Sequence, residues 1–241
     1  MSAPAFDLQS HSLHSDGDLP AAQVVENAAG AGVELLALSD HDTVDGVDEA
    51  LAAGAVHGVR VVPATEISAV DGPYEDLHVL GYGIDHRSAL LGERLLDARA
   101  DRERRADGMA ERLRELGFEI DPAPVEARKA KGKPVGRPHL AAAVLAHPSN
   151  ASRLAEEGHQ DVSSFIPAYL IQGKPGYVAR THPTVEEAIA WIHEAAGVAV
   201  WAHPFWDVKD SDEVLSAMPA GDTPGQRTSV TRYEVAARMS E

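Results

Sequence analysis

The chain sets imidazoles and carboxylates at a spacing suited to metal chemistry. Asp7-Leu8-Gln9-Ser10-His11-Ser12-Leu13-His14-Ser15-Asp16-Gly17 opens it, and Ser39-Asp40-His41-Asp42, Glu66-Ile67-Ser68, His78 and Ala202-His203-Pro204 follow. A mixed set of imidazole nitrogen and carboxylate oxygen suits Mn, Fe or Zn better than Ca. Two such ions roughly 3.5–4 Å apart neutralise the charge developing in phosphoester hydrolysis and generate hydroxide at neutral pH. A carboxylate such as Glu66 can bridge two ions, which an imidazole cannot. Each histidine taken singly reads as a surface or structural residue. Taken together with Asp16 and Glu66, they read as a metal centre.

Composition narrows the chemistry further. Cysteine is absent, so there is neither a disulfide framework nor a thiolate metal site, and any ion must be held by nitrogen and oxygen. The net charge of −17 argues against an extended duplex nucleic-acid surface, which depends on Lys and Arg neutralising phosphates. A small phosphorylated substrate or a short oligonucleotide end is compatible with it. At 241 residues, 44% hydrophobic and 24% charged, the chain can bury the core of one α/β barrel or two modest domains. No apolar run reaches the length of a membrane span. Met1-Ser2-Ala3-Pro4-Ala5-Phe6 lacks the basic start and apolar core of a signal peptide. The expectation is a cytoplasmic protein with neither a membrane nor a protein partner.

The elements that must position these residues alternate through the first third. Phe6-Asp7-Leu8 reads as a strand, and Pro20 to Ala29 as a helix closed by Gly30 and Gly32. Leu35-Leu36-Ala37-Leu38 reads as a buried strand, Val47 to Ala55 as a helix, Val59-Arg60-Val61-Val62 and Leu77-His78-Val79-Leu80 as further strands. Such alternation predicts parallel strands joined by crossover helices, with the polar clusters at the strand C-terminal ends where barrel active sites assemble. Between Ser88 and Gly117, leucines spaced among Arg, Asp and Glu predict amphipathic helices. Arg102, Arg104 and Arg105 would form a solvated face of one. Pro134 to Ala146 predicts another helix. Thr184-Val185-Glu186-Glu187 is a capping box leading into a helix, and Val198 to Ala202 is a strand ending at His203. The expected organisation is a barrel part over 5–87, a mostly helical insertion over 88–180, barrel continuation over 181–215 and an irregular tail over 216–241.

In their order, the motifs closely resemble those of the PHP (polymerase and histidinol phosphatase) family: D-L-H-x-H-S-x-x-S-D-G, T-D-H-D, E-x-S, a strand bearing a histidine, here followed by Gly81-Tyr82-Gly83-Ile84-Asp85, and A-H-P. Gly136-Arg137-Pro138-His139 and Gly173-Lys174-Pro175-Gly176-Tyr177 resemble segments of its stand-alone members that carry a helical insertion, among them nucleotide phosphatases and exoribonucleases acting from the 5′ end. The resemblance implies an α/β fold, an irregular seven-stranded (β/α)7-type barrel, and hydrolysis of a nucleotide or short RNA end by hydroxide generated at divalent ions, up to three in the family. One ion would use Glu66, His78 and His203, a second Asp16 and His41, a third His11 and Glu66. Asp40 and Asp42 would orient His41. Asp40, Arg137 and His139 would serve catalysis, and Arg137, His139 and Lys174 would hold the phosphate.

Two departures stand out. The family's first histidine is Gln9 here, and its final G-S-D-x-H motif is not found, so the resemblance implies a barrel incomplete at its C-terminus and fewer ions. Other assignments stay open. His14 is a solvent-facing residue or a replacement for the lost imidazole. Arg137 is a phosphate clamp or merely precedes a helix beginning at Pro138, and Lys174 also suits a plain turn. His57, His86, His147, His159, His182 and His193 read as loop or surface residues. An inactive truncated fragment and a non-catalytic metal- or nucleotide-binding module are the alternatives to an enzyme.

Overall fold

In the computed structural model, which describes residues 5–72, 74–130, 135–180 and 183–204, the elements begin with β1 (Phe6–Ser10), α1 (Ala21–Gly30), β2 (Leu35–Leu38), α2 (Val47–His57), β3 (Arg60–Asp71) and β4 (Tyr74–Tyr82). The helices α3 (Ala89–Glu115), α4 (Pro122–Lys129), α5 (Arg137–Ala146), α6 (Ala151–Glu157) and α7 (Val162–Tyr169) follow, with a 3-10 turn at Pro148–Asn150. Then come α8 (Val185–Glu194) and β5 (Val198–Trp201). The described residues divide into two compact units, one formed up to Leu96 and again from Pro183, the other between Asp97 and Arg180. The α/β class is as expected from the sequence.

In the first unit one sheet has the order β1-β2-β3-β4-β5. β1, β2 and β3 run parallel, and α1 and α2 make the crossovers. Val25 of α1 and Ala50 and Ala53 of α2 are buried in one cluster with Leu36 and Leu38 of β2. A Cβ on Gly54 would lie 2.6 Å from the Val59 carbonyl oxygen, so this helix can approach β3 only with a glycine there. Gly58, at φ 73°, closes α2 in the left-handed conformation.

The parallel expectation fails after β3. β3 pairs antiparallel with β4, and β4 antiparallel with β5. The reason is chain length: both strands extend beyond their apolar centres until only Gly72 and Pro73 separate them, whereas a parallel crossover needs a dozen or more residues. The described sheet has five strands, with β1 and β5 at its ends among the described residues. The barrel continuation expected beyond residue 204 and the tail expected over 216–241 lie outside the described residues. Thr184 caps α8 as the sequence predicts, accepting from the Glu187 N–H at 3.2 Å while the Glu187 carboxylate accepts from the Thr184 N–H at 2.8 Å.

The second unit is helical. Met109, Leu113, Phe118, Leu140, Val144, Leu154, Phe165 and Leu170 form its core. The Asn150 side chain pins two segments together, accepting from the Glu119 N–H at 3.0 Å and donating to the carbonyls of Glu119 and Val144. The stretch expected to hold several helices contains the single helix α3, which starts in the first unit. Arg105 is not on a solvated face: it is buried, donates to the Val178 carbonyl at 2.8 Å and lies over the Tyr177 ring. Its aliphatic stem and planar head suit such a half-apolar position. Among the described residues no helix is long and apolar enough to cross a membrane.

Candidate metal centre

Strand pairing explains how the distant motifs meet. Across the β3–β4 ladder Glu66 pairs with Leu80 and Ser68 with His78, so Glu66 and His78 are diagonal neighbours on one face. The chain beyond β2 continues alongside β3: Asp42 N–H donates to the Glu66 carbonyl at 3.0 Å and Glu66 N–H to the Asp40 carbonyl at 3.1 Å, placing His41 beside Glu66. Past β5, the Ala202 N–H bonds the His78 carbonyl at 2.9 Å, and His203 turns in at φ 31°. His11 and Asp16 come from the loop after β1, folded by bonds from the Ser15 and Gly17 N–H groups to the Ser12 carbonyl.

Glu66 is the hub. Its Oε1 lies 2.8 Å from His78 Nδ1 and 3.2 Å from His203 Nε2, and those two nitrogens are 3.1 Å apart. Its Oε2 accepts from Gln9 Nε2 at 2.8 Å and lies 3.4 Å from His11 Nε2. Asp16 lies 3.6 Å from both His11 Nδ1 and His41 Nε2. The His11 and His41 rings stack at 4.7 Å. All the metal ligands expected from the sequence are therefore brought together, and His11–Asp16–His41 and His41–Glu66–His78 each present ligand atoms within 4.8 Å of one another.

These spacings fit divalent ions. Nitrogen and oxygen ligands at about 2.0–2.2 Å from an ion, subtending tetrahedral or octahedral angles, stand about 3.0–3.5 Å from each other. The triangle of Glu66 Oε1, His78 Nδ1 and His203 Nε2 has edges of 2.8 to 3.2 Å, close to the spacing of ligand atoms around one ion. Burial raises the pKa of Glu66, but hydrogen bonds from His11, His203 and His78 and the charge at His41 outweigh it and hold the carboxyl far below its usual range. Burial likewise works against a proton on His11, yet the Glu66 hydrogen bond and the charges of Glu66, Asp16 and Asp40 raise its pKa above 6.5. The centre is thus built to attract cations.

The carboxylates expected to orient His41 are both held by serine donors. Asp40 does not turn toward His41. It is buried, and it accepts from Ser12 N–H at 2.7 Å, Ser12 Oγ at 2.6 Å and Ser15 Oγ at 2.6 Å. Three donors hold its carboxylate and tie it to the loop that carries His11 and Asp16. Asp42, at φ 52°, accepts from Ser68 N–H at 2.8 Å and Ser68 Oγ at 3.0 Å. Ser12, Ser15, Ser68 and the Gln9 donor are the site residues that residue typing missed. Serines flanking His11 and following Glu66 were the available signal. His14 is half-exposed, with Nε2 3.9 Å from Glu49.

Arg137, His139 and Lys174 belong to the second unit. Arg137 begins α5, and His139 Nδ1 accepts from the Gly136 N–H at 3.0 Å. That bond leaves the imidazole proton on Nε2 when the ring is neutral. Lys174 is exposed in the turn closed by its own N–H to the Ile171 carbonyl at 3.0 Å.

No family model matches the sequence, but individual proteins do. The chain is 34% identical over 207 residues to the 3′,5′-nucleoside bisphosphate phosphatase of Chromobacterium violaceum, covering 83% of this chain and 66% of that one. It is 32% identical over 200 residues to a 5′-3′ exoribonuclease of Haemophilus influenzae, covering 83% and 68%, and 35% identical over 206 residues to the 5′-3′ exoribonuclease Rnm of Escherichia coli, covering 84% and 66%. It thus spans about two thirds of the length of these curated relatives. Among solved structures, an inferred metal-dependent phosphoesterase of Bifidobacterium adolescentis superposes with a TM-score of 0.70 at 30% identity, over 98% of this chain and 84% of that one. An amidohydrolase of Chromobacterium violaceum gives 0.68 at 32% identity, over 83% and 67%. Similarity at this level, carried by a buried glutamate hub facing histidines from separate strands, establishes that the chain belongs to the PHP family of metal-dependent phosphoesterases.

Proposed function

We propose that the chain hydrolyses a phosphate ester of a nucleotide or a short RNA end, using Mn, Fe or Zn. The observation that carries this is the convergence of His78 Nδ1 and His203 Nε2 on Glu66 Oε1, with edges of 2.8 to 3.2 Å. Bound divalent ions would neutralise the phosphoryl oxygens and make hydroxide available at neutral pH. Glu66, held ionised by its histidine partners, would anchor the cluster. Asp16, half-exposed at its carboxylate, would complete the side open to solvent. Arg137, His139 and Lys174 would bind phosphate, Arg137 through its forked donors and His139 through an Nε2 proton directed by the Gly136 bond.

The relatives named for a nucleoside bisphosphate and for RNA 5′ ends share a phosphate ester on ribose, and the charge of −17 disfavours long duplexes. Such chemistry belongs in the cytoplasm, where we place the chain. The test supplies Mn²⁺ and offers nucleoside bisphosphates, short 5′-phosphorylated oligoribonucleotides and duplex DNA. Turnover of the first two with little of the third is expected. Preference for duplex DNA, or binding of nucleotide and metal without turnover, would overturn the proposal.

A further inference from the structure

Within the second unit, one face of α3 receives the segment that follows Lys174. Arg105, Gly108 and Arg112 stand at i, i+3 and i+7, which aligns them along one stripe of the helix. Arg105 is buried and donates through Nε to the Val178 carbonyl at 2.8 Å. Arg112 donates to the adjacent Tyr177 carbonyl. The Arg105 guanidinium also lies 5.7 Å from the centroid of the Tyr177 ring. The approach is close: a Cβ on Gly108 would stand 3.3 Å from Val178 Cγ2, and one on Gly176 3.1 Å from Leu113 Cδ2.

The turn just ahead is held as well. The Lys174 N–H bonds the Ile171 carbonyl at 3.0 Å, the Gly176 N–H the Tyr169 carbonyl at 3.0 Å and the Tyr177 N–H the Lys174 carbonyl at 3.1 Å. The backbone on both sides of Lys174 is therefore fixed, while its side chain stands exposed. A guanidinium is a natural phosphate clamp, and burying one is costly unless it is well bonded. These two arginines bond main-chain carbonyls of the segment that carries another cation.

We infer that Arg105 and Arg112 are positioning residues for a phosphate subsite: by fixing the Tyr177 and Val178 carbonyls they hold the turn so that Lys174 meets a phosphate group in one arrangement. The inference rests on the proposed phosphate contact of Lys174. Ordering the turn before the ligand arrives removes an entropic cost from binding. The effect of either arginine then passes through Lys174 and belongs to substrate affinity, not to the metal centre.

The test is a double-mutant cycle on a nucleoside 3′,5′-bisphosphate with Mn²⁺. Arg105→Met keeps an unbranched stem and removes the donors. It should raise KM about 3-fold, the scale of one hydrogen bond, with kcat and bound metal held. In a Lys174→Ala background the same change should leave KM nearly unmoved. Arg112→Met, at an exposed position, provides the same cycle where Arg105→Met fails to fold. Hydrogen exchange at the Gly176 and Tyr177 amides should quicken in both arginine variants while α5 keeps its protection. An equal rise in KM with and without Lys174, or faster exchange with KM unchanged, overturns the inference and leaves the phosphoesterase reading intact. Unchanged KM in Lys174→Ala removes the phosphate contact on which the inference rests. No turnover by the parent chain overturns the phosphoesterase reading, and this inference with it.

Discussion

The Ser15 hydroxyl donates to the buried carboxylate of Asp40 at 2.6 Å, tying the loop that carries Asp16 to the segment that carries His41. Asp16 and His41, proposed to share one ion, thereby depend on a bond that neither of them makes. Ser15→Ala should weaken the tightest Mn²⁺ binding at the His11–Asp16–His41 group by roughly 10- to 100-fold, the usual cost of losing a supporting partner. The Glu66–His78–His203 group should be spared. Two-site calorimetry reads this directly, and equal loss at both sites would mean the loop is not held in the way described.

Removing the hub has a different signature. Glu66→Ala and His78→Ala should each strip the ion held by Glu66, His78 and His203, because three inward ligands become two. Protein purified without added metal and analysed for its elements should show less metal in both variants than in the parent. Equal and negligible metal in all three samples would remove the basis for that site.

Protons and ions compete for the same lone pairs. His11 has a pKa raised above 6.5, so in the metal-free chain its proton is held into a higher range than for a free imidazole, and an ion must displace it. Mn²⁺ affinity should therefore rise as pH climbs toward the raised His11 pKa and level off above it, with proton release on binding below it. For the metal-free fold the sign is opposite: the stabilisation from protonated His11 is complete below its unfolded pKa and fades as pH rises through the folded value. Glu66, with a depressed pKa, contributes stability above its ordinary 4.5 that is lost only as pH falls through its much lower folded value. Melts of the chelator-treated protein across this range, beside titrations with metal, separate the two effects.

Gly17 has no room for a side chain: a Cβ would lie 2.3 Å from the His11 carbonyl oxygen. Gly17→Ala should cost about 1–3 kcal/mol, as overpacking does, and reduce metal at the His11–Asp16–His41 group. Gly30, at the end of α1 with nothing within 4 Å of a built Cβ, is the control. There alanine should be neutral or stabilise by up to about 1 kcal/mol. Similar melting shifts in the two variants would contradict the close approach at Gly17.

Arg137→Ala should raise KM for a mononucleotide about 10-fold or more, since a charge-assisted bond contributes about 1.5–3 kcal/mol, while leaving metal content unchanged. Lys174→Ala, at an exposed turn, should act more weakly. Unchanged KM in Arg137→Ala would return that residue to the role of a helix start.

The sequence by itself determined which chemistry is available. His11, Asp16, His41, Glu66, His78 and His203 are legible because residue type and local order are properties of short segments. So are the bounds of β2, a continuous apolar run, and the cap at Thr184, a bond spanning only three residues. Direction and partnership were decided elsewhere. Whether β4 returns beside β3 depended on how far each strand extended, which left two residues and forced an antiparallel hairpin. Arg105 looked like a surface charge until Val178 and Tyr177 were brought to it. Asp40 found Ser12 and Ser15 instead of His41. Gln9, a bare departure from a motif when read along the chain, becomes a donor to Glu66, 57 positions away. A hydrogen bond is made by whichever donor and acceptor the fold sets at contact distance, and for groups far apart in sequence that choice exists only once the sheet has formed.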